Sequence, residues 1–262
     1  MLKKIMILTG LLLLIPMAFV YAGIEWQSKT VTSTGDKQTV MLIHAYAQDG
    51  NVKQEFMKGM SNPLMKEGSS MLFLKGNSII YLVNPKEKTY SEFPLDAMMQ
   101  MAGSMMQMTV ANAKVDVKQL PAEKILNYEC NHVRIDSSYD MEIKMMGFQT
   151  KNHIEQSNEM WGTTAIADKE LSPLFKSMNL RTGMKELDAL VEKQVSAIKD
   201  LGFPIKSVMV TKTTVQKGKV TTTTVETMVS EIVTKSLSAS LFEIPKDYEK
   251  TSLIPTMPPG KK

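Results

Sequence analysis

The chain has 262 residues, 43% of them hydrophobic, 22% charged and 6% aromatic, which excludes a disordered or collagen-like polymer because there is ample apolar side chain for a core. The formal net charge of +4, from 31 basic and 27 acidic residues, offers none of the concentrated basic surface that phosphate binding needs, so nucleic acid is not the expected partner. A single cysteine, Cys130, rules out an intramolecular disulfide.

The chain opens on a secretory pattern. Lys3 and Lys4 form a positive head, Ile5 to Val20 is apolar apart from Thr9, Gly10 and Pro16, and Val20-Tyr21-Ala22 supplies the small residues of a cleavage site. Residues 1–22 are therefore expected to be a cleaved signal peptide. The product is expected to be periplasmic or secreted, starting near Gly23. No cysteine stands at the cleavage point to take a lipid anchor. Beyond residue 23 no apolar run is long enough to span a bilayer.

Past the signal segment, most of the chain reads as strands. Ile24 to Thr32 leads through the turn signal Ser33-Thr34-Gly35-Asp36 into Lys37 to Ala47, and after Asp49-Gly50-Asn51 comes Val52 to Met57. Met71 to Leu74 and Ile79 to Val83 flank Gly76-Asn77, and Asn84-Pro85-Lys86-Glu87-Lys88 connects to Thr89 to Phe93. Strands joined by such short turns pair as antiparallel neighbours, so this half reads as a meander. Proline pre-sets the turn backbone, and Asn84 is placed to hydrogen-bond ahead to it.

Further on, Lys124 to Ser138 and Tyr139 to Met146 continue the sheet. Tyr139, Met141, Ile143 and Met145 alternate with Asp140, Glu142 and Lys144, a period of two that buries one face and wets the other. Gly147 marks a turn, Phe148 to Trp161 returns, and Ile205 to Gln216 and Val220 to Val233 are rich in the β-branched Thr and Val that suit strands.

Helical spacing appears twice. Pro94 to Met108 places Leu95, Met98, Met99, Ala102, Met105 and Met106 on one face, with Asp96, Gln100, Ser104 and Gln107 opposite. Met184 to Leu201 gathers Met184, Leu187, Val191 and Ile198, extended by Leu190, Val195 and Leu201, and ends at Gly202 and Pro204. A shorter helical turn is expected at Ser172-Pro173. Nothing divides the chain, so residues 23–253 are expected to form one domain and residues 254–262 a loose tail.

Several phrases in order carry a resemblance: Val83-Asn84-Pro85-Lys86-Glu87-Lys88-Thr89-Tyr90, Ile125-Leu126-Asn127-Tyr128-Glu129-Cys130, Glu159-Met160-Trp161, Gly202-Phe203-Pro204-Ile205, and Leu241-Phe242-Glu243-Ile244-Pro245 with Tyr248. Across nearly the whole mature chain they resemble an uncharacterised family of exported bacterial proteins related to the lipoprotein carriers LolA, LolB and LppX. The resemblance implies an α+β fold: a single curved antiparallel β-sheet, a half-barrel, with helices covering its concave face and an apolar cavity between. It implies acyl chains as the cargo. No carrier motif is matched position by position, so no site residue is carried over from those relatives.

The residues themselves point the same way. No GxSxG, HExxH, phosphate-binding or dinucleotide-binding pattern occurs, and no cofactor is called for. Cys130 and His132 would share a strand face, a pairing that could make a nucleophile, although a buried structural cysteine is the ordinary reading of such a residue. The chain has 23 methionines, three of them (Met1, Met6, Met17) in the signal segment. Thioethers suit Cu(I), which makes a periplasmic copper-binding protein the alternative. Yet methionine also fills irregular apolar space and adapts to varied ligands, and no His or Cys accompanies the Met98–Met108 stripe. The expectation is a non-enzymatic carrier of a hydrophobic ligand, lipid or acylated protein, with transient membrane contact allowed. Its expected contacts are Leu95, Met98, Met99, Met105 and Met106 on the first helix, Leu187 and Val191 on the second, and Phe73 and Ile80 on the sheet.

Overall fold

The structure is a computed structural model and describes residues 23–59, 65–94, 107–145, 148–166, 185–215 and 218–252. Its body is one open, curved sheet of 12 strands. The first six run in chain order: β1 (Gly23–Thr34), β2 (Lys37–Gln48), β3 (Asn51–Lys58), β4 (Ser70–Phe73), β5 (Ile79–Asn84) and β6 (Thr89–Pro94). They pair antiparallel with their neighbours, the meander the turn signals imply. At the β5–β6 turn Asn84 Oδ1 accepts from the Glu87 amide at 3.2 Å, holding the connection as expected.

The second half comprises β7 (Gln107–Ile125), β8 (Tyr128–Met145), β9 (Phe148–Thr163), helix α1 (Lys185–Ile198), β10 (Phe203–Val215) and β11 (Val220–Lys235). β11 pairs with β1, so this half joins the first edge to edge, in the order β1-β11-β10-β9-β8-β7. A short 3-10 turn (Ala239–Phe242) and β12 (Glu249–Lys250) follow as the last described elements.

Three expectations need correction. β12 lies parallel to β6, so the sheet is not wholly antiparallel; the C-terminal segment reaches that edge after crossing the sheet, and arrives running the same way. Lys124 to Ser138 is not one strand but a hairpin, turning at Leu126-Asn127, where Leu126 adopts a positive φ of 55°. Pro94 ends β6, and Gln107 and Met108 begin β7, so the stretch Pro94–Met108 is strand at both ends. Residues 95–106, with the expected first helix, lie outside the described residues, as do Ser172-Pro173, the signal segment and the 254–262 tail. Among the described residues α1 is the one α-helix, and it is the second of the two expected covering helices. No helix there is long and apolar enough to cross a membrane.

The main core gathers Ile24, Trp26, Ala45, Ala47, Val52, Cys130, Trp161, Phe203, Ile205 and Val229, where bulges in β10 and β11 bend the strands. Trp26 meets Phe203 edge to face at 5.4 Å. A second cluster joins α1 to the sheet: Val133, Ile135 and Leu201 pack with Val115, Met160, Ala197 and Ile198. A third lies under the C-terminal segment, where Leu237 and Phe242 cover Leu72, Tyr46 and Tyr81.

The passage from α1 into β10 runs through Gly202, at φ +81°, and a Cβ there would stand 2.3 Å from the Thr163 carbonyl oxygen. Neither the left-handed backbone nor that approach suits another residue. Gly202→Ala is expected to lower unfolding stability by about 2 kcal/mol or more, measured by urea unfolding, because the substitution lifts α1 and the start of β10 away from β9.

Candidate ligand-binding face

Backbone register decides which side chains share a face, and between β7 and β1 it runs without a break through three successive rows. The first row is Val115–Ser137–Gln156–Thr211–Thr223–Thr34, the second Val117–Ile135–Asn158–Met209–Val225–Thr32, and the third Gln119–Val133–Met160–Ser207–Thr227–Thr30. Val115, Val133, Ile135 and Met160 are the residues α1 packs on, so these rows form the helix face. None of the 18 side chains is charged. The two rows between them point the other way and carry charge, most of it on β7 and β8: Asp116–Asp136–Ser157–Val210–Thr224–Ser33 and Lys118–Arg134–Glu159–Val208–Glu226–Val31. One sheet therefore separates an uncharged face from an ionic one.

Helix α1 exists where it does because Leu190, Gln194, Ala197 and Ile198 recur at helical spacing and meet the sheet. Leu190 is buried, Ala197 and Ile198 join the Val133–Ile135 cluster, and Gln194 Nε2 donates to Ser137 Oγ at 3.4 Å. Along one flank of the helix, Ala189, Glu192, Lys193, Ser196 and Ala197 face Val115 and Val117 across a groove of about 650 Å³. That is within the ordinary size of a small-molecule site, about 300–1,000 Å³. Val117 is 40% exposed in it, and the aliphatic stems of Glu192 and Lys193 complete an apolar wall with charge at its rim.

On the opposite face the charged groups hold one another. Glu25 accepts from His44 Nε2 at 2.6 Å and is paired with Lys235; Tyr46 hydrogen-bonds His44 Nδ1 at 3.2 Å and donates to Glu55 at 3.4 Å. The Lys235 hydrogen bond holds the Glu25 carboxyl below its ordinary value of 4.5, against the opposing effect of burial. Burial, then the nearby carboxylates of Glu55 and Glu25, push the Tyr46 hydroxyl up to about 12. Further along, Asp140 pairs with His153 at 2.7 Å, and Glu142 with Lys144 at 3.1 Å and Lys151 at 3.2 Å. Among the described residues no group of three or more His, Cys, Asp or Glu side chains is placed to hold a metal.

A model of the family described as a domain of unknown function, DUF4412, matches residues 30–248. The chain belongs to that family. Comparison with curated proteins finds no match. Among solved structures this DUF4412 chain is similar to a LolA superfamily protein from Nitrosomonas europaea, at 10% identity over 86% of this chain and 90% of that one, with a TM-score of 0.32. It is also similar to a putative outer membrane lipoprotein-sorting protein domain from Vibrio parahaemolyticus (8% identity, 84% and 88% covered, TM-score 0.31). A third is a DUF1329 family protein from Desulfovibrio piger (10% identity, 86% and 91% covered, TM-score 0.30). Likeness at this level identifies no shared ligand.

Of the contacts expected from sequence, Phe73 and Ile80 are register partners on β4 and β5. Through Val52, Ala47 and Ile24 they lie on the side of the sheet that carries Thr30, the helix face. Six strands separate β4 from β8, so the register sets them on the same face as α1 but in the other half of the sheet. Leu187 and Val191 are half-buried on the flank of α1 turned away from the β7 groove. Leu95, Met98, Met99, Met105 and Met106 lie outside the described residues, and the copper alternative rests on the same segment. The groove residues Val115 and Val117 were not foreseen, and the alternation Val115-Asp116-Val117-Lys118 is the signal that could have found them.

Cys130 and His132 do share a strand face but do not form a nucleophilic pair. Cys130 is fully buried and its Sγ donates to the Tyr128 carbonyl at 3.6 Å. His132, 6% exposed, stacks on Trp161 at 4.1 Å, and its two nitrogens face Glu123 and Glu159 at 3.3 Å each. Burial pushes the Cys130 thiol up, away from the reactive thiolate. The folded protein is expected to resist alkylation by iodoacetamide at pH 7.5 and to react fully once unfolded in guanidinium, as read by intact mass; rapid labelling of the folded chain would contradict the burial.

The Glu25 pairing makes a pH prediction. A carboxylate whose folded-state pKa is depressed contributes stability above its unfolded value and loses that contribution as pH falls through the folded one. Glu25→Gln is therefore expected to be less stable than the wild type at pH 7. The difference should narrow once pH drops below 4.5 and vanish below the depressed value, measured by urea unfolding from pH 7 to pH 3. A constant difference across that range would place the effect elsewhere.

Proposed function

We propose that this protein is a non-enzymatic, extracytoplasmic binding or carrier protein for a hydrophobic ligand, a lipid or an acylated protein, held between the curved sheet and the helices. The observation that carries the reading is the uncharged helix face bordered by an apolar groove under α1. A charged ligand group would find no counter-charge in those rows, and burying it unpaired is costly, whereas an alkyl chain leaves water for Val, Ala, Ile and Met at about 25 cal/mol per Å² covered. Export is supported by the Lys3-Lys4 head, the apolar stretch and Val20-Tyr21-Ala22. We assign residues 1–22 to a cleaved signal, 23–253 to the binding domain and 254–262 to a tail. The ligand contacts combine Val115 and Val117 with Leu187, Val191, Phe73 and Ile80, and with Leu95, Met98, Met99, Met105 and Met106.

Uptake of diphenylhexatriene, an uncharged fluorescent probe, tests the reading. The wild type should bind it, and Val117→Asp should weaken binding at least tenfold, about 1.4 kcal/mol, with unchanged circular dichroism because Val117 is already partly exposed. Changing Met98, Met99, Met105 and Met106 together to Leu should leave uptake intact, since apolar volume is kept, while the same four changed to Ser should reduce it. A wild-type protein that takes up no probe would overturn the proposal.

A further inference from the structure

The helix face is not uniformly apolar. Its first row crosses five adjacent strands with a hydrogen-bonding side chain on each: Ser137 on β8, Gln156 on β9, Thr211 on β10, Thr223 on β11 and Thr34 on β1. All five are uncharged. Val115, a wall of the α1 groove, continues the same row on β7. A row of apolar side chains would pack a core better, and a row of charges would face water, so this arrangement suits neither plain role. It puts hydroxyl and amide groups beside an apolar groove, the pairing that an amphiphile presents.

The partners within the row show which head group fits. Ser137 accepts from Gln194 of α1, and Thr34 and Thr223 share a hydrogen bond at 3.0 Å. Gln156 Nε2 is turned toward Met209 Sδ at 2.6 Å, a weak acceptor. In the next row Asn158 Oδ1 is buried with no hydrogen-bond partner. Buried polar atoms are normally paired, and this one is an acceptor, so it calls for a donor. A carboxylate or phosphate head is acceptor-only and would meet no cation in these rows. An ester without hydroxyls has nothing to donate.

We infer that the Ser137–Gln156–Thr211–Thr223–Thr34 row, with Asn158 beside it, is a head-group subsite for an amphiphile with one apolar chain and an uncharged, hydroxyl-bearing head. This rests on the reading of the helix face as the site of a hydrophobic ligand. The apolar chain follows the groove of Val115, Val117 and Ala197, and the head lies across β9 and β10, where its hydroxyls donate to Asn158 Oδ1 and exchange hydrogen bonds with Gln156 and Thr211.

Competition against bound diphenylhexatriene separates the possibilities, with 1-monooleoylglycerol, methyl oleate and oleate as competitors carrying the same chain. The wild type should bind monooleoylglycerol at least tenfold more tightly than either of the others. In the triple variant Gln156→Leu, Thr211→Val, Thr223→Val that preference over methyl oleate and oleate should fall at least fivefold. Threonine to valine keeps the β-branched shape of a strand residue, and the single variant Thr211→Val, expected to give part of the loss, serves if the triple variant does not fold. Equal binding of monooleoylglycerol and methyl oleate, tighter binding of oleate, or an unchanged preference in the variants would overturn the inference while leaving the hydrophobic-ligand reading in place. Failure of all three competitors and the probe to bind would overturn both.

Discussion

Everything about the two faces depends on an unbroken register from β7 to β1. Side chains alternate along a strand with a period of two, so a slip of one residue at any pairing would carry every subsequent side chain to the other face. Between Val115 and Thr34 the rows stay aligned across six strands. The irregularities fall outside that block: Ala111/Lys114 and Leu120/Glu123 in the β7–β8 pairing, Pro204/Lys206 in β10–β9, and Gln27/Ser28 in β1–β11. Bulges increase twist and bend the strand. Placing them beyond the block curves the sheet without mixing its faces.

Cross-strand charge pairs on the ionic face act on the same register. Arg134 reaches Asp136 along its own strand at 3.0 Å and Glu159 across to β9 at 3.7 Å, while Lys118 on β7 reaches Asp136 at 3.9 Å. Exposed pairs of this kind contribute little to stability, about 0–1 kcal/mol each. Their effect on specificity is larger, because a slipped register would turn these charges toward the apolar cluster under α1, where they would lie buried and unpaired. The ionic face thus argues against the alternative pairings rather than strongly for the native one.

Much of this was legible in the sequence, and the failures have physical causes. Tyr139, Met141 and Ile143 do lie on one face with Asp140 and Glu142 on the other, because β8 carries a clear apolar–polar period. The helix before Gly202 was readable from its apolar spacing and its stop, although it ends at Ile198, three residues short of the expected Leu201. β7 was not, because an edge strand is wet on more than one side. Its residues include Lys114, Asp116, Lys118 and Pro121, and two bulges break its alternation. The hydroxyl row was hidden for a different reason. Thr30, Thr32 and Thr34 alternate with Val31 and Ser33, so neither face of β1 declares itself there, and only pairing with β11 shows that Thr34 stands beside Thr223.

The two ends of the sheet solve the same hazard differently. An open sheet exposes unpaired backbone at each edge, a template for unwanted strand pairing. At one edge the C-terminal segment supplies a cover. Leaving β11, it lays Leu237 and Phe242 over Leu72 on the ionic side, where Tyr46 and Tyr81 also pack. It then adds β12 to β6, with Glu249 N donating to Lys88 O at 2.9 Å and Thr251 N to Tyr90 O at 2.7 Å. At the other edge β7 has no such partner among the described residues, and it relies on its own composition. Pro121 removes an amide, the bulges at Ala111/Lys114 and Leu120/Glu123 twist the strand out of plane, and the lysines and Asp116 keep it solvated. The features that made β7 hard to recognise as a strand are the ones that let it stand at an edge, and α1, resting on Val115, leaves the groove open beside it.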